Sequence, residues 1–434
     1  VPIRSCTRTR WIASLGAGIA ATAALIAAGS AVPAQAAGDP GDVHEVEYFT
    51  AGRPHHTDVR TNKAPTQPHA PIATTPVTPF QQTGPTSGRL DLVVMGDGYT
   101  APQQGDFSAD AREKLEEIFA IEPYRSYRGL FNIWLVEAPS ADSGVTGDPT
   151  ADVTRDTALG SYFFCDDIER LLCVNPDAVT TYANKAPAAD IVFVIANSTK
   201  YGGAGYTFDT PPDNATYRGI ATMSSDNERS YLIGAHELGH SIGNLADEYQ
   251  YAGYGAYPDP EPATVNLTTY RDLGTAKWYR WLGEQDPTGS VIGTYEGGGY
   301  YETGIYRPTD TSIMRTLAST EFNLVGREAM IAGFYAHADA LTSSTPTTAP
   351  LTPSTRLTVD VAPVNGLAAP TVTWYADGKR VDRATNDLSV TPLELGVRGR
   401  GPHTIRAAVS DGSTSLRDPG ARAAATNSLT WWLR

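Results

Sequence analysis

His236 and His240 stand four residues apart and bracket an acid at Glu237 in the run Tyr231-Leu-Ile-Gly-Ala-His236-Glu237-Leu-Gly-His240-Ser-Ile-Gly243-Asn-Leu-Ala-Asp247-Glu248-Tyr249. On a helix that spacing puts both imidazoles on one face, about one turn apart, within reach of a single zinc ion. Glu237 lies beside the pair, where it can take a proton from a zinc-bound water of raised acidity. Gly243 falls where a helix can stop in a left-handed turn and send the chain back toward the metal, and Asp247 and Glu248 arrive just after it.

Something must hold that segment as a helix and give it a floor. Ser225 with Glu228 reads as a capping box, and Leu232, Ala235, Gly239 and Ile242 recur at helical spacing, so one face packs inward while the other offers the histidines. Upstream, Leu90 to Tyr99 reads as a buried strand ended by a glycine turn, Ser108 to Ala120 as a helix, and Phe131 to Val136 as a strand. Asn175 caps a helix with Pro176 in its first turn, and two more strands follow at Asp190 to Ala196 and Gly219 to Met223. This alternation predicts a mixed sheet with helices on its faces. Tyr201-Gly-Gly-Ala-Gly205-Tyr206 could form the rim of a cleft, since glycines permit close backbone approach. A helix from about Asn323 to Leu341 closes the unit.

The run HELGHSIGNLADEY resembles the active-site signature of the secreted zinc endopeptidases named after IgA peptidase, a metzincin-like group. Gly243 matches the glycine that metzincins carry seven residues after the first histidine. The usual third ligand would fall on Ala246, which cannot bind metal; the variant of this group, an aspartate one residue later, matches Asp247, with Glu248 as the alternative. The phrases GDGYT, FNIW, DSGV, IERLLC and YGGAGYTF are similar to those of the same group, so the resemblance covers about residues 85 to 340. Ser312-Ile313-Met314, 67 residues beyond Asp247, resembles the methionine turn, whose thioether forms an apolar floor under the ligand imidazoles. Tyr306, Arg307 and Arg315 are candidates for oxyanion support or cleft contacts, although a salt bridge would equally explain either arginine.

The flanks have a different character. Val1 to Ala36 reads as an export signal: Arg4, Arg8 and Arg10 precede an apolar stretch, and Ala34-Gln35-Ala36 offers small residues for cleavage. Residues 37–88 are rich in Pro, Thr, His and Gly, and are expected to be a propeptide, a strap along the enzyme or a linker; His55 and His56 could bind metal, but are expected to be solvated. Residues 89–341 form the expected catalytic domain and 342–353, a Ser/Thr/Pro run, a stiff linker. Residues 354–434 alternate as strands and predict an immunoglobulin-like β-sandwich around Trp374, giving an α+β chain overall.

The formal net charge is −15, and removal of three arginines with no acids makes it −18. That balance argues against nucleic acid or anionic lipid as partner. Cys6 leaves with the signal, so Cys165 and Cys173 are expected to form a small-loop disulfide in an exported protein. The expectation is a secreted, extracellular zinc endopeptidase with one catalytic Zn2+, acting on protein or peptide substrates, with possible cell-surface or carbohydrate contact through the C-terminal domain. The competing readings are an exported binding or cell-wall-associated protein with an inactive metal site, and a zinc amidase acting on wall fragments.

Overall fold

In the computed structural model, the residues described are 43–50, 53–60, 75–207, 214–217, 219–272, 274–348, 350–364, 370–398 and 401–433. The expected export signal lies outside them. Its strands and helices begin with β1 (Val43–Thr50), β2 (Arg53–Arg60), β3 (Val77–Gln81), β4 (Leu90–Asp97), α1 (Gln104–Ile118), α2 (Tyr124–Tyr127), β5 (Phe131–Val136) and α3 (Pro176–Ala183). There follow β6 (Ile191–Ala196), β7 (Gly203–Thr207), β8 (Gly219–Ser224), α4 (Tyr231–Gly243), β9 (Tyr295–Gly298), β10 (Tyr301–Arg307) and α5 (Leu324–His337). The C-terminal part comprises β11 (Leu341–Ser343), β12 (Leu357–Val361), β13 (Thr371–Ala376), β14 (Lys379–Arg380), β15 (Ser389–Val390), β16 (His403–Ser410), α6 (Pro419–Ala424) and β17 (Thr426–Leu433).

Eight strands form one mixed sheet in the order β2-β1-β7-β8-β6-β4-β5-β3. Its centre, β8-β6-β4-β5, is parallel, and the runs FNIWLV and IVFVIA are buried along their whole length because helices and loops cover both faces. One face packs on α1, α4 and α5 through Phe107, Leu115, Phe193, Leu238 and Phe334; the other packs under the loop and helix of residues 158–183. The strands expected from the sequence are present, and α3 is capped as read, with the Asn175 side chain accepting from the Ala178 N–H. Cys165 and Cys173 are disulfide-bonded. Asp97, at the end of β4, accepts from the N–H groups of Leu159 and Ser161 at 3.0 and 2.8 Å, so the GDGYT phrase is a brace for the neighbouring loop.

The signals at the ends of α4 work differently from the expectation. The helix starts at Tyr231 behind Ser230, which makes no side-chain cap. Ser225 lies one strand end earlier, its hydroxyl bonded to Asp226, so no capping box with Glu228 forms. At the exit the left-handed residue is Asn244 (φ 48°), not Gly243. Asn tolerates that conformation, and Gly243 instead lies against the Met330 side chain of α5.

Beyond α5, two small antiparallel sheets, β11-β12-β15 and β14-β13-β16-β17, share one core with the large sheet. Trp374 and Trp431 stack in it, 6.0 Å apart. The run expected as a linker starts inside β11, and Leu351 is buried and bridged to Leu433, so part of it is built into these sheets. Buried Asp411 accepts from Tyr127 at 2.7 Å and Tyr335 at 2.9 Å, joining β16 to α2 and α5. Among the described residues no helix is long and apolar enough to cross a membrane.

Candidate metal centre

α4 carries His236 and His240 on the face turned toward the end of β7, as their spacing requires. The Nδ1 of His236 donates to the Ile313 carbonyl at 2.9 Å, and the Nδ1 of His240 donates to the Leu245 carbonyl at 2.8 Å. A carbonyl only accepts, so each ring holds a proton on Nδ1 and turns Nε2 inward as the atom that would meet a metal. The left-handed turn at Asn244 brings Asp247 round, and its Oδ1 lies 3.2 Å from His236 Nε2 and 3.5 Å from His240 Nε2. The two Nε2 atoms are 3.0 Å apart.

A fourth group comes from far away in sequence. Glu47, in the middle of β1, places Oε2 3.2 Å from His236 Nε2 and 3.1 Å from His240 Nε2. Glu47, His236, His240 and Asp247 thus offer four ligand atoms within 4.8 Å of one another. Donors about 2.0–2.2 Å from one tetrahedral ion are roughly 3.3 Å apart, which matches the separations here. The chemistry fits too, because imidazole nitrogens and carboxylate oxygens this close together need protons or a metal cation between them. Asp247 Oδ1 is buried and takes no hydrogen bond. Burial opposes charge on His236, yet Glu47 and Asp247 push it up to about 10. His240 is likewise raised against its burial, chiefly by Asp247, while that carboxyl, also opposed by burial, is held well below the usual range first by His240. The cluster calls for positive charge at its centre.

Asp247 is held from behind. Tyr300 donates to its Oδ2 at 2.9 Å, and His56 Nε2 lies 3.3 Å from the same oxygen and 3.0 Å from the Tyr300 hydroxyl. His56 is therefore wedged into the site, not solvated as its flanking sequence suggested. Glu248, the alternative ligand, points the other way: it accepts from Asn266 at 3.0 Å, Ser312 at 2.5 Å and Asn323 at 3.0 Å. Burial pushes its carboxyl up, and it serves as the anchor of the Ser312–Met314 turn, whose Met314 carbonyl also accepts from the Glu248 N–H. Met314 is buried with its sulfur against α4 at Gly239, where a Cβ would come within 2.6 Å of that sulfur. One turn thus supports the helix through Met314 and orients His236 through the Ile313 carbonyl.

Glu237 points toward β7. Its carboxylate is buried against Gly205, and Oε1 has no hydrogen-bond partner. Burial and the nearby Glu47 charge push its pKa up to about 8. Of the remaining candidates, Arg307 is buried and donates to the carbonyls of Glu296 and Gly297, and the Tyr306 hydroxyl lies 3.5 Å from Glu296; both brace the β9-β10 hairpin. Arg315 pairs with Asp310 and lines a groove of about 470 Å³ with Tyr249, Tyr251, Pro54 and His55.

Glu47, Tyr300 and His56 were not found by reading outward from the helix motif. Glu47 lies 189 residues before His236, and nothing local marks it as a ligand. The available signal was the short apolar run Val46 to Phe49, in which Glu47 sits, within a segment otherwise poor in apolar runs.

A helix turning two imidazole Nε2 atoms and an acid toward β7, with Asp247 closing in, defines a candidate metal-dependent hydrolase site. The family model described as IgA peptidase M64 matches residues 78–289 and 285–334, more than half of the chain, and the protein belongs to that peptidase family. No curated protein matches it.

Proposed function

We propose that the chain is a zinc endopeptidase in which His236, His240 and Asp247 hold one catalytic ion and Glu237 is the general base. The observation that carries this reading is the convergence of two Nδ1-anchored imidazoles and the unpartnered Asp247 Oδ1 on one point. A zinc ion there would polarise the scissile carbonyl and acidify water. Glu237, buried next to that point, takes a proton from the attacking water and hands it to the leaving amine; its raised pKa suits both halves of the transfer. With β1 displaced, the edge of β7 that β1 occupies would offer backbone N–H and C=O groups to an extended substrate. Met314 and the turn around it keep the rings fixed through the reaction.

The reading extends to the rest of the chain as the sequence suggested: export through residues 1–36, an extracellular location, a metzincin-like catalytic unit over 89–341 and an immunoglobulin-like sandwich over 354–434. A second reading has one observation in its favour. With Glu47 in place, four protein groups surround the site, and four-donor closure is typical of structural zinc. Comparing the full chain with Glu237→Gln for zinc content and cleavage of a broad peptide mixture separates the two. Equal zinc with cleavage lost in the variant supports the peptidase; equal zinc with no cleavage by any form, including chain cut between residues 61 and 74, favours an inactive site. Turnover of wall fragments without peptide cleavage identifies an amidase.

A further inference from the structure

A hydrolytic site needs an open coordination position, and in this structure the chain's own N-terminal hairpin fills it. We propose that β1 and β2 are an intramolecular inhibitor that lies in the substrate's place, with Glu47 as the plug; this rests on the peptidase reading above.

Four observations support it. β7 would end the sheet on this side if β1 were absent, and β1 pairs with it antiparallel at Val46↔Tyr206 and Glu47↔Gly205. An extended substrate would use the same edge, directly over Glu237. At that register Glu47 turns inward: it is 3% exposed, Oε2 reaches both imidazoles, and the Tyr249 hydroxyl lies 3.4 Å from Oε1. Its neighbours seal the cleft, with Phe49 meeting the His236 ring edge-on at 5.0 Å and His55 of β2 stacked between Tyr48 and Tyr251. Finally, the family match starts at residue 78, beyond the hairpin, so the hairpin is no part of the matched peptidase region.

The hold on the enzyme is short in register: β1 contacts β7 at two paired residues, whereas it pairs with β2 along all eight. Beyond Glu47 it includes His56 against Asp247 and Tyr300, and the Thr57 hydroxyl, which donates to Asp166 at 2.8 Å. β1 and β2 therefore leave together, as a unit, once these few contacts let go. The chain joining them to β3 contains Lys63, and hydrolysis of one peptide bond there, consuming one water and giving a new carboxylate and a new amine, turns an intramolecular ligand into a separate peptide. Its effective concentration at the site then falls to its concentration in solution.

The test uses zinc-loaded full chain, either intact or carrying a sequence-specific protease site at residues 63–66 that is cut and followed by gel filtration. The first readout is fluorescence anisotropy of a labelled peptide with the sequence of residues 43–50. If the hairpin fills the cleft in about 99% of intact molecules, the peptide binds the cut chain about 100-fold more tightly than the intact one. The Glu47→Gln form of the peptide should bind the cut chain at least about tenfold more weakly. Equal binding to intact and cut chain overturns the proposal. The second readout is hydrolysis by full-length Glu47→Ala, which needs no cut: it should exceed the intact chain, and, where the cut chain hydrolyses peptides, activity equal to or below the intact chain with zinc retained overturns the proposal. Peptide binding released by the cut, with no form hydrolysing anything, would sink the peptidase reading and leave the hairpin as a cover. Intact chain as active as cut chain would keep the peptidase reading and remove the inhibitor.

Discussion

Gly205 and Glu237 share a space that has no room for another atom: a Cβ built on Gly205 would lie 1.7 Å from Glu237 Oε2. The glycine on β7 is thus where the strand leaves room for the Glu237 carboxylate, and the two are positioned against each other. Gly205→Ala must displace either the carboxylate or the strand. The expected result is at least about a 100-fold loss of hydrolysis, since misplacement by an ångström costs that much, with zinc content unchanged. Metal analysis and kinetics on the same preparation check it.

Tyr300→Phe removes the hydroxyl that donates to Asp247 Oδ2 while keeping the ring. The ligand carboxylate loses its orienting partner, and metal affinity should fall about 10- to 100-fold. Competition against a chromogenic chelator measures this directly. An unchanged affinity would mean that His56 and the backbone turn hold Asp247 without the hydroxyl.

Asn323→Ala acts at one remove. Asn323 caps α5 through Gly326 and donates to Glu248, which in turn fixes Ser312 at the start of the methionine turn. Loss of a cap and of a donor to a buried carboxylate should cost about 2–4 kcal/mol in unfolding free energy. Chemical denaturation gives the value, and a drop in zinc affinity alongside it would show that the turn transmits the change to His236.

Acidity should act in opposite directions on the loaded and the metal-free chain. Raised folded-state values mean that His236 and His240 contribute stability to the metal-free chain that is full below their unfolded value of about 6.5. For His236 it is lost as pH climbs toward about 10. Metal displaces those protons, so zinc affinity rises with pH. Melting curves with and without chelator between pH 6.5 and 9.5 should diverge, the chelated sample falling as the loaded one holds.

Much of this was readable from short-range pattern. The buried strands FNIWLV and IVFVIA, the Asn175-Pro176 helix start and the spacing of His236 and His240 each express a local rule, and each appears where that rule places it. The misread details were those in which tertiary contact overrode a local cue. Ser225 and Glu228 fit a capping box, but both lie in the bend and turn between β8 and α4, before the helix begins at Tyr231. Gly243 looks like a helix stop, yet α5 packs so closely that its missing side chain is needed for Met330, and Asn244 makes the turn instead. Glu47 was missed, and His56 was read as solvated, for a simpler reason: their place depends on a strand pairing nearly 160 residues long in sequence separation, between β1 and β7, that no periodicity reports.

The central claim is that two imidazoles and a carboxylate from one segment surround a single cation. X-ray absorption at the zinc edge on the full chain loaded with one equivalent tests it most directly. The account predicts two nitrogen and two oxygen neighbours at about 2.0–2.2 Å, with one nitrogen lost in His240→Ala and one oxygen replaced by water in Glu47→Ala. A spectrum unchanged by His240→Ala would place the metal elsewhere and contradict it.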